Sequence, residues 1–264
     1  MSDLRVVLIQ TRFAILATLR TRRTIFFTLL IPLILLVIFS SLFGNGAGNT
    51  VTLSNGATLD AEAYFTAGII AYATALSTFT TLTVVLTTKR ESGQLKRYRG
   101  TPMPAWTFIS AWILRALLQV TVAVVLLMSV AVVAYGVEVP SSAIPGLAVY
   151  VVLGTASLCA LAFAMTVFTP TVDSASTIAP FGVVILSFVS GVWFPVDQLP
   201  NWAADVGRVF PLAHLASGLQ TALSPATGGI GLNGSDVAAL AVWGLAGIVV
   251  AARRFKWEPQ TNPG

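Results

Sequence analysis

Of the chain's 264 residues, 56% are hydrophobic and only 9% are charged, and the mean hydropathy is +0.85. Soluble domains carry about 25% charged residues, so a water-soluble enzyme is excluded. The formal charge of +5 sits on bases clustered beside apolar runs, a pattern of membrane topology and not of a nucleic-acid groove.

A helix needs about 20 apolar residues to cross a bilayer. The chain offers several such runs, continuous and not alternating, which favours helices over a barrel. The expected fold is an all-α polytopic membrane protein. It has six transmembrane helices, an N-terminal interfacial helix and external re-entrant helices between spans 5 and 6.

Residues 1–24 hold Arg5, Arg12, Arg20, Arg22 and Arg23. They read either as a helix lying on the cytoplasmic surface or as a basic flank that sets orientation. Span 1 covers residues 25–43, longer than a signal-peptide core and with no small-residue cleavage site after it. Its Pro32 predicts a kink. Residues 44–62 are polar, lack Lys and Arg, and read as an external loop.

Span 2, residues 63–88, is rich in hydroxyls, among them Thr74, Ser77, Thr78 and Thr81. These either line a path for an amphipathic solute or bond to their own helix backbone. Residues 89–104, KRESGQLKRYRGTPMP, carry five of the fifteen basic residues: Lys89, Arg90, Lys96, Arg97 and Arg99. Such a block cannot lie in hydrocarbon and must be a surface loop.

Span 3, residues 106–135, contains Arg115. About 20 apolar residues follow it, enough to fill the hydrocarbon, so Arg115 is expected to snorkel to the inner interface. A short turn with Glu138 precedes span 4, residues 145–168, where Ala156, Ala160 and Ala164 form a row for close helix approach. A turn with Asp173 leads to span 5, residues 176–194. Residues 201–210 and 211–223 are too short to span and fit re-entrant pieces. Span 6 covers residues 237–252, and residues 253–264 form a basic tail.

Thirteen of the fifteen bases fall on one side of this layout. The positive-inside rule then places both termini and the basic loop in the cytoplasm of a multi-pass plasma-membrane protein.

No catalytic or metal-ligating constellation is visible. His214 is the single histidine and is expected to be structural. Cys159, the single cysteine, can form no intrachain disulfide. No phosphate-binding loop is present, and apart from Arg115 the span cores carry no Asp, Glu, His or Arg. Energy for uphill movement is therefore expected from another subunit. A membrane-embedded enzyme would need acids, His or Cys converging at one depth, and Asp173 and His214 do not converge.

Two stretches carry a resemblance. Glu91, Gly93, Leu95, Thr101 and Pro102, with the bases among them, resemble the signature between spans 2 and 3 of ABC-2 type transporter permeases. Gly191-Val-Trp-Phe194-Pro195, Leu199-Pro200-Asn-Trp202 and Phe210-Pro211-Leu212 resemble that family's segment around span 5 and the re-entrant helices. The nearest group is the daunorubicin-resistance type of drug-exporting subunit.

The resemblance implies two permease chains, identical or different, and two separate ATP-binding subunits that hold ATP and Mg, with no cofactor in this chain. It makes the basic loop a coupling helix seated on the ATPase, with Glu91, Gly93, Arg97, Thr101 and Pro102 as motif positions and Lys96 and Arg99 beside them by charge. The same basic residues can also bind anionic membrane lipids. Thr74, Ser77, Thr78, Thr81, Ser187 and Ser190 become path residues. Gly191, Phe194, Pro195, Pro200 and Pro211 become an external gate. The implied cargo is a hydrophobic or amphipathic drug, antibiotic or lipid-like molecule. Polysaccharide or glycolipid export, and a non-transporting scaffold or immunity protein, are the other readings.

Overall fold

The computed structural model describes residue 7 and residues 9–13, 22–44, 49–53, 56–100, 105–224 and 230–254. Its helices run in chain order as α1 Arg22–Phe43, α2 Ala61–Ala75, α3 Thr81–Glu91, α4 Gln94–Arg99 and α5 Ala105–Tyr135. Then follow α6 Ala143–Met165, α7 Val172–Val189, α8 Asn201–Val209, α9 Pro211–Leu223 and α10 Gly234–Arg254. One π-helical turn, Leu76–Thr80, joins α2 and α3 into a single 31-residue rod, Ala61–Glu91.

By length and composition, five helices among the described residues can cross a membrane: Ala61–Glu91, Trp106–Tyr135, Ala143–Met165, Val172–Val189 and Gly234–Arg254. Leu29–Phe43 is a shorter apolar helix. Among the described residues the fold is all-α apart from one small hairpin in the stretch expected to be loop. There β1 Thr50–Thr52 pairs antiparallel with β2 Thr58–Asp60, Val51 opposite Leu59. Leu53 and Leu59 are buried and pin the hairpin to the bundle.

Of the expected N-terminal interfacial helix, residues 9–13 are helical; most of residues 1–24 lies outside the described residues, as do residues 255–264 of the tail.

The rod's first half is the centre of the bundle. Every residue of α2 except Glu62 is buried, and α2 packs against α1, α5 and α9. Its small residues permit this, because apolar helices in lipid associate through close packing and not through expulsion of water. A second apolar cluster, with Leu86, Leu95, Phe108, Trp112 and Phe163, closes the end of the bundle that carries the basic loop. We call this the basic end, and the opposite one the hairpin end. Val122, Val125 and Val133 on α5, Phe181 and Phe188 on α7, and Leu245 on α10 are exposed. A belt of this composition suits lipid.

The small-residue row on α6 receives α10. A Cβ on Gly247 would lie 2.7 Å from the Ala160 carbonyl carbon, whereas one on Gly244 would meet Ser157 at an ordinary 3.5 Å. The close contact thus runs through Ser157 and Ala160, one position round from Ala156. Gly247→Leu is expected to part α6 from α10 and abolish a monodisperse peak in detergent. Gly244→Ala should leave the elution profile unchanged. Equal profiles for both variants would sink this packing assignment.

Two details differ from expectation. Arg115 does not snorkel: its residue is 5% exposed. Its Nη2 donates to Gln119 Oε1 at 3.1 Å, and the guanidinium lies 5.2 Å from the Trp112 ring centroid. The reason is orientation, since Arg115 lies near the buried Cys159 of α6. Second, α7 begins at Val172, so Asp173 lies in its first turn and Pro180 in its interior. Thr171 and Ser174 form a reciprocal capping box that starts the helix there.

Candidate coupling site

The basic stretch folds as the end of α3, a tight turn and the short helix α4. Gly93 adopts φ +69°, a left-handed conformation that L residues disfavour. Its N–H donates to the Arg90 carbonyl at 3.0 Å, and Ser92 N–H to the Thr88 carbonyl at 3.0 Å. The turn ends α3 and reverses the chain into α4. Leu95 is fully buried in the apolar cluster and roots α4 in the bundle. Lys96 and Arg97 point away from it and are exposed. Arg99 closes α4. Thr101 and Pro102 lie outside the described residues.

The basic residues do not act alike. Lys89 Nζ donates to Gln94 Oε1 at 3.0 Å and lies 5.8 Å from the Trp112 ring centroid. Arg90 turns inward and is 1% exposed. Its Nη1 donates to the Thr166 carbonyl at 2.6 Å; its Nη2 donates to the carbonyls of Thr169 at 2.5 Å and Pro170 at 3.0 Å. These carbonyls belong to the end of α6 and the turn into α7. Reading all five bases of the loop as surface charge is therefore corrected for Arg90. Only an inward position lets the guanidinium satisfy carbonyls that the helix end leaves open.

Glu91 is exposed, yet its Oε1 accepts the Val172 N–H at 2.8 Å. The carboxylate therefore caps the N-terminus of α7, where the helix dipole favours negative charge. Sequence reasoning singled out Glu91 and missed Arg90. The only signal for Arg90 was its place beside Glu91 at a helix end.

At the hairpin end, α8 and α9 form a bent pair that turns at Phe210. Trp243 Nε1 donates to the Val209 carbonyl at 2.7 Å, and the Trp243 and Phe210 rings stack at 6.1 Å. Trp243 lies seven residues beyond Asp236, about 10 Å further along α10, so the elbow lies partway along the bundle, on its surface, with Val209 exposed. Beneath it is a cavity of about 220 Å³, lined by apolar side chains that include Phe79, Leu158, Met165, Leu186 and Leu212.

Of the expected gate residues, Gly191, Phe194, Pro195 and Pro200 precede this pair and Pro211 stands at its elbow. Gly191 adopts φ +71°. Its carbonyl accepts from Tyr64 Oη at 2.5 Å and from Gln220 Nε2 at 3.0 Å. Pro195 precedes a short 3-10 turn, Pro200 precedes α8, and Pro211 opens α9, where its missing N–H costs nothing. Phe194 is exposed.

The expected path residues do not share one surface. Thr74, Ser77 and Thr78 are buried, and their hydroxyls donate to the carbonyls of Ile70, Ala73 and Thr74. Thr81 donates to Leu76 across the π turn. Ser187 donates to the Val184 carbonyl and accepts from Trp193 Nε1. Ser190 lines a second, polar cavity of about 200 Å³ at the hairpin end, together with Tyr64, Asp197, His214, Ser217 and Asp236.

Sequence reasoning also missed the pairing of His214. Its Nδ1 lies 2.8 Å from Asp236 Oδ1, and its Nε2 2.9 Å from the Arg208 carbonyl oxygen. Ser217 Oγ donates to Asp236 Oδ2 at 3.1 Å. The Asp236 bond raises the His214 pKa above its ordinary value, against the opposing effect of burial. The histidine, expected to be structural, thus has a partner 22 residues away.

No group of three or more His, Cys, Asp or Glu side chains suited to a metal occurs among the described residues. A search of curated proteins finds no match. The model of the ABC-2 type transporter family matches residues 5–223, from the N-terminal stretch through the last residue of α9. The match covers most of the chain, including the basic turn and the bent pair, and the chain therefore belongs to the ABC-2 type transporter family as a membrane-spanning permease subunit.

Proposed function

We propose that this chain is the permease subunit of an ATP-driven exporter, and that its α4 docks on a separate ATP-binding subunit. The observation that carries the reading is the construction of the basic end. Lys96 and Arg97 stand exposed on a helix whose root, Leu95, is buried in the bundle. Such a helix presents positive charge outward and can pass force inward.

Two ATPase subunits serve a pair of permease chains, and both termini and α4 face the cytoplasm, in keeping with the charge count. α8 and α9 act as re-entrant helices beside the outer mouth. The apolar cavity beneath their elbow suits a hydrophobic or amphipathic cargo such as a drug, an antibiotic or a lipid-like molecule.

The test is mild-detergent purification of the tagged chain from its native host, with the co-purifying chains identified. A stoichiometric ATP-binding subunit is expected. Lys96→Glu combined with Arg97→Glu should weaken its retention about tenfold, because reversing interface charges opposes association. A native preparation without any ATPase removes the transporter reading. Full ATPase retention by the charge-reversed chain removes α4 as its seat.

A further inference from the structure

We propose that Arg90 and Glu91 lock the coupling helix and the α6–α7 turn into one rigid lever, so that a stroke on α4 is delivered to α7. The proposal rests on α4 being the ATPase contact.

The two residues are adjacent in sequence but serve opposite ends of two helices. The carbonyls that Arg90 holds, Thr166, Thr169 and Pro170, lie 76–80 residues away. They belong to the negative, C-terminal end of α6 and the turn beyond it. The N–H that Glu91 holds opens the positive end of α7, 81 residues away. Each charge therefore meets the helix dipole of opposite sign.

Such bonds differ from the apolar contacts elsewhere in the bundle. Apolar helix faces can slide past one another with little change in energy. A buried guanidinium cannot, because breaking its bonds would leave a charge and three carbonyls unpaired. The end of α3 is thus fixed in register against the turn.

The lever has a continuous course. Leu95 ties α4 to α5 through Phe108 and Trp112. Gly93 holds α4 close to the end of α3. α3 runs alongside α7, and α7 packs against α8. At the far end of α7, the Val189 carbonyl lies against Gly207 of α8. Displacement of α4 therefore moves α7 and the α8–α9 elbow together. Span 5 becomes the moving part.

The test uses the full complex with its ATPase. Thr87 and Thr169 hydroxyls lie 3.5 Å apart across the joint. With Cys159, the single cysteine, replaced by alanine, Thr87→Cys and Thr169→Cys allow oxidation to tie α3 to the turn. A further cysteine at Asn201, an exposed position at the start of α8, reports motion through its maleimide labelling rate. That label is applied after the oxidation step.

ATP with vanadate is expected to change this rate at least threefold in the wild-type background. The change should persist in the cross-linked chain, because the joint does not move. It should vanish in Arg90→Met while the ATPase subunit stays bound, and return when the cross-link is added to that variant. A merely structural Arg90 would instead lose the ATPase and the labelling change together, with no rescue. Loss of the response on cross-linking, reversed by reductant, would overturn the lever, since the joint must then slide. An unresponsive wild-type complex would overturn it as well. If Arg90→Met does not fold, the cross-link in the otherwise native chain decides alone. Absence of any ATPase fails the transporter reading itself, which is seen at purification, before any cross-link is made.

Discussion

Gly207→Ala is expected to lower the melting temperature in detergent by at least 5 °C. A Cβ at this position would stand 1.8 Å from the Val189 carbonyl oxygen and 2.8 Å from its carbon. Both neighbours are backbone atoms, so no side-chain rotation relieves the clash. Val189 ends α7, and Gly191 with its φ of +71° follows almost at once, so the acceptor side is fixed too. α8 must shift outward, at a cost of about 1–3 kcal/mol or more. Alanine regains about 1 kcal/mol of helix propensity over glycine, which does not offset the clash. Gly182→Ala is the matched control. It lies inside α7, and nothing approaches its Cβ position within 4 Å. That variant should melt at or slightly above the wild-type temperature. Equal melting of the two variants would refute the close contact between α7 and α8.

Raising the pH from about 6 to about 9 is expected to loosen the α8–α9 pair. Both groups that His214 meets, the Asp236 carboxylate and the Arg208 carbonyl, accept hydrogen bonds. Both ring nitrogens must therefore carry protons, and the folded form favours the imidazolium. The raised pKa agrees in direction, with the Asp236 bond as its largest cause. A group whose pKa rises on folding stabilises the fold fully below its unfolded value, about 6.5. That contribution is lost as pH climbs through the folded value above it. The other charges near the ring are Asp197, which lines the same cavity, and the exposed Arg208–Asp205 pair at 3.4 Å.

Hydrogen exchange across residues 201–223, corrected for the intrinsic pH effect, should rise over this interval. His214→Asn should remove the rise. Asp236→Ala should speed exchange even at pH 6, because Ser217 and a half-buried imidazole lose their acceptor, at a cost of about 1–3 kcal/mol. The same pH dependence in His214→Asn would eliminate His214 as the origin.

The helix positions were legible in the sequence because hydrocarbon leaves the backbone almost no alternative to helix. The bounds moved by a few residues where local chemistry intervened, as the Thr171–Ser174 capping box does at α7. The hairpin at residues 50–60 was not legible. It stands on two buried leucines, Leu53 and Leu59, amid polar residues.

The same contrast holds for the site. Composition, the six apolar runs and the distribution of bases determined a helical membrane protein with a charged loop between its second and third runs. The turn residue Gly93 and the carboxylate Glu91 could also be picked out, because each does local work that residue type suggests. Tertiary structure alone decided where the charges point. Lys96, Arg97 and Arg90 are the same kind of residue a few positions apart, yet two face outward and one is buried on three carbonyls. The carbonyls that hold Arg90, the N–H that Glu91 caps and the Asp236 carboxylate beside His214 lie 22 to 81 residues away, on other helices or the turn between them. Pairings of that range are set by how helices pack, and local periodicity carries no record of them.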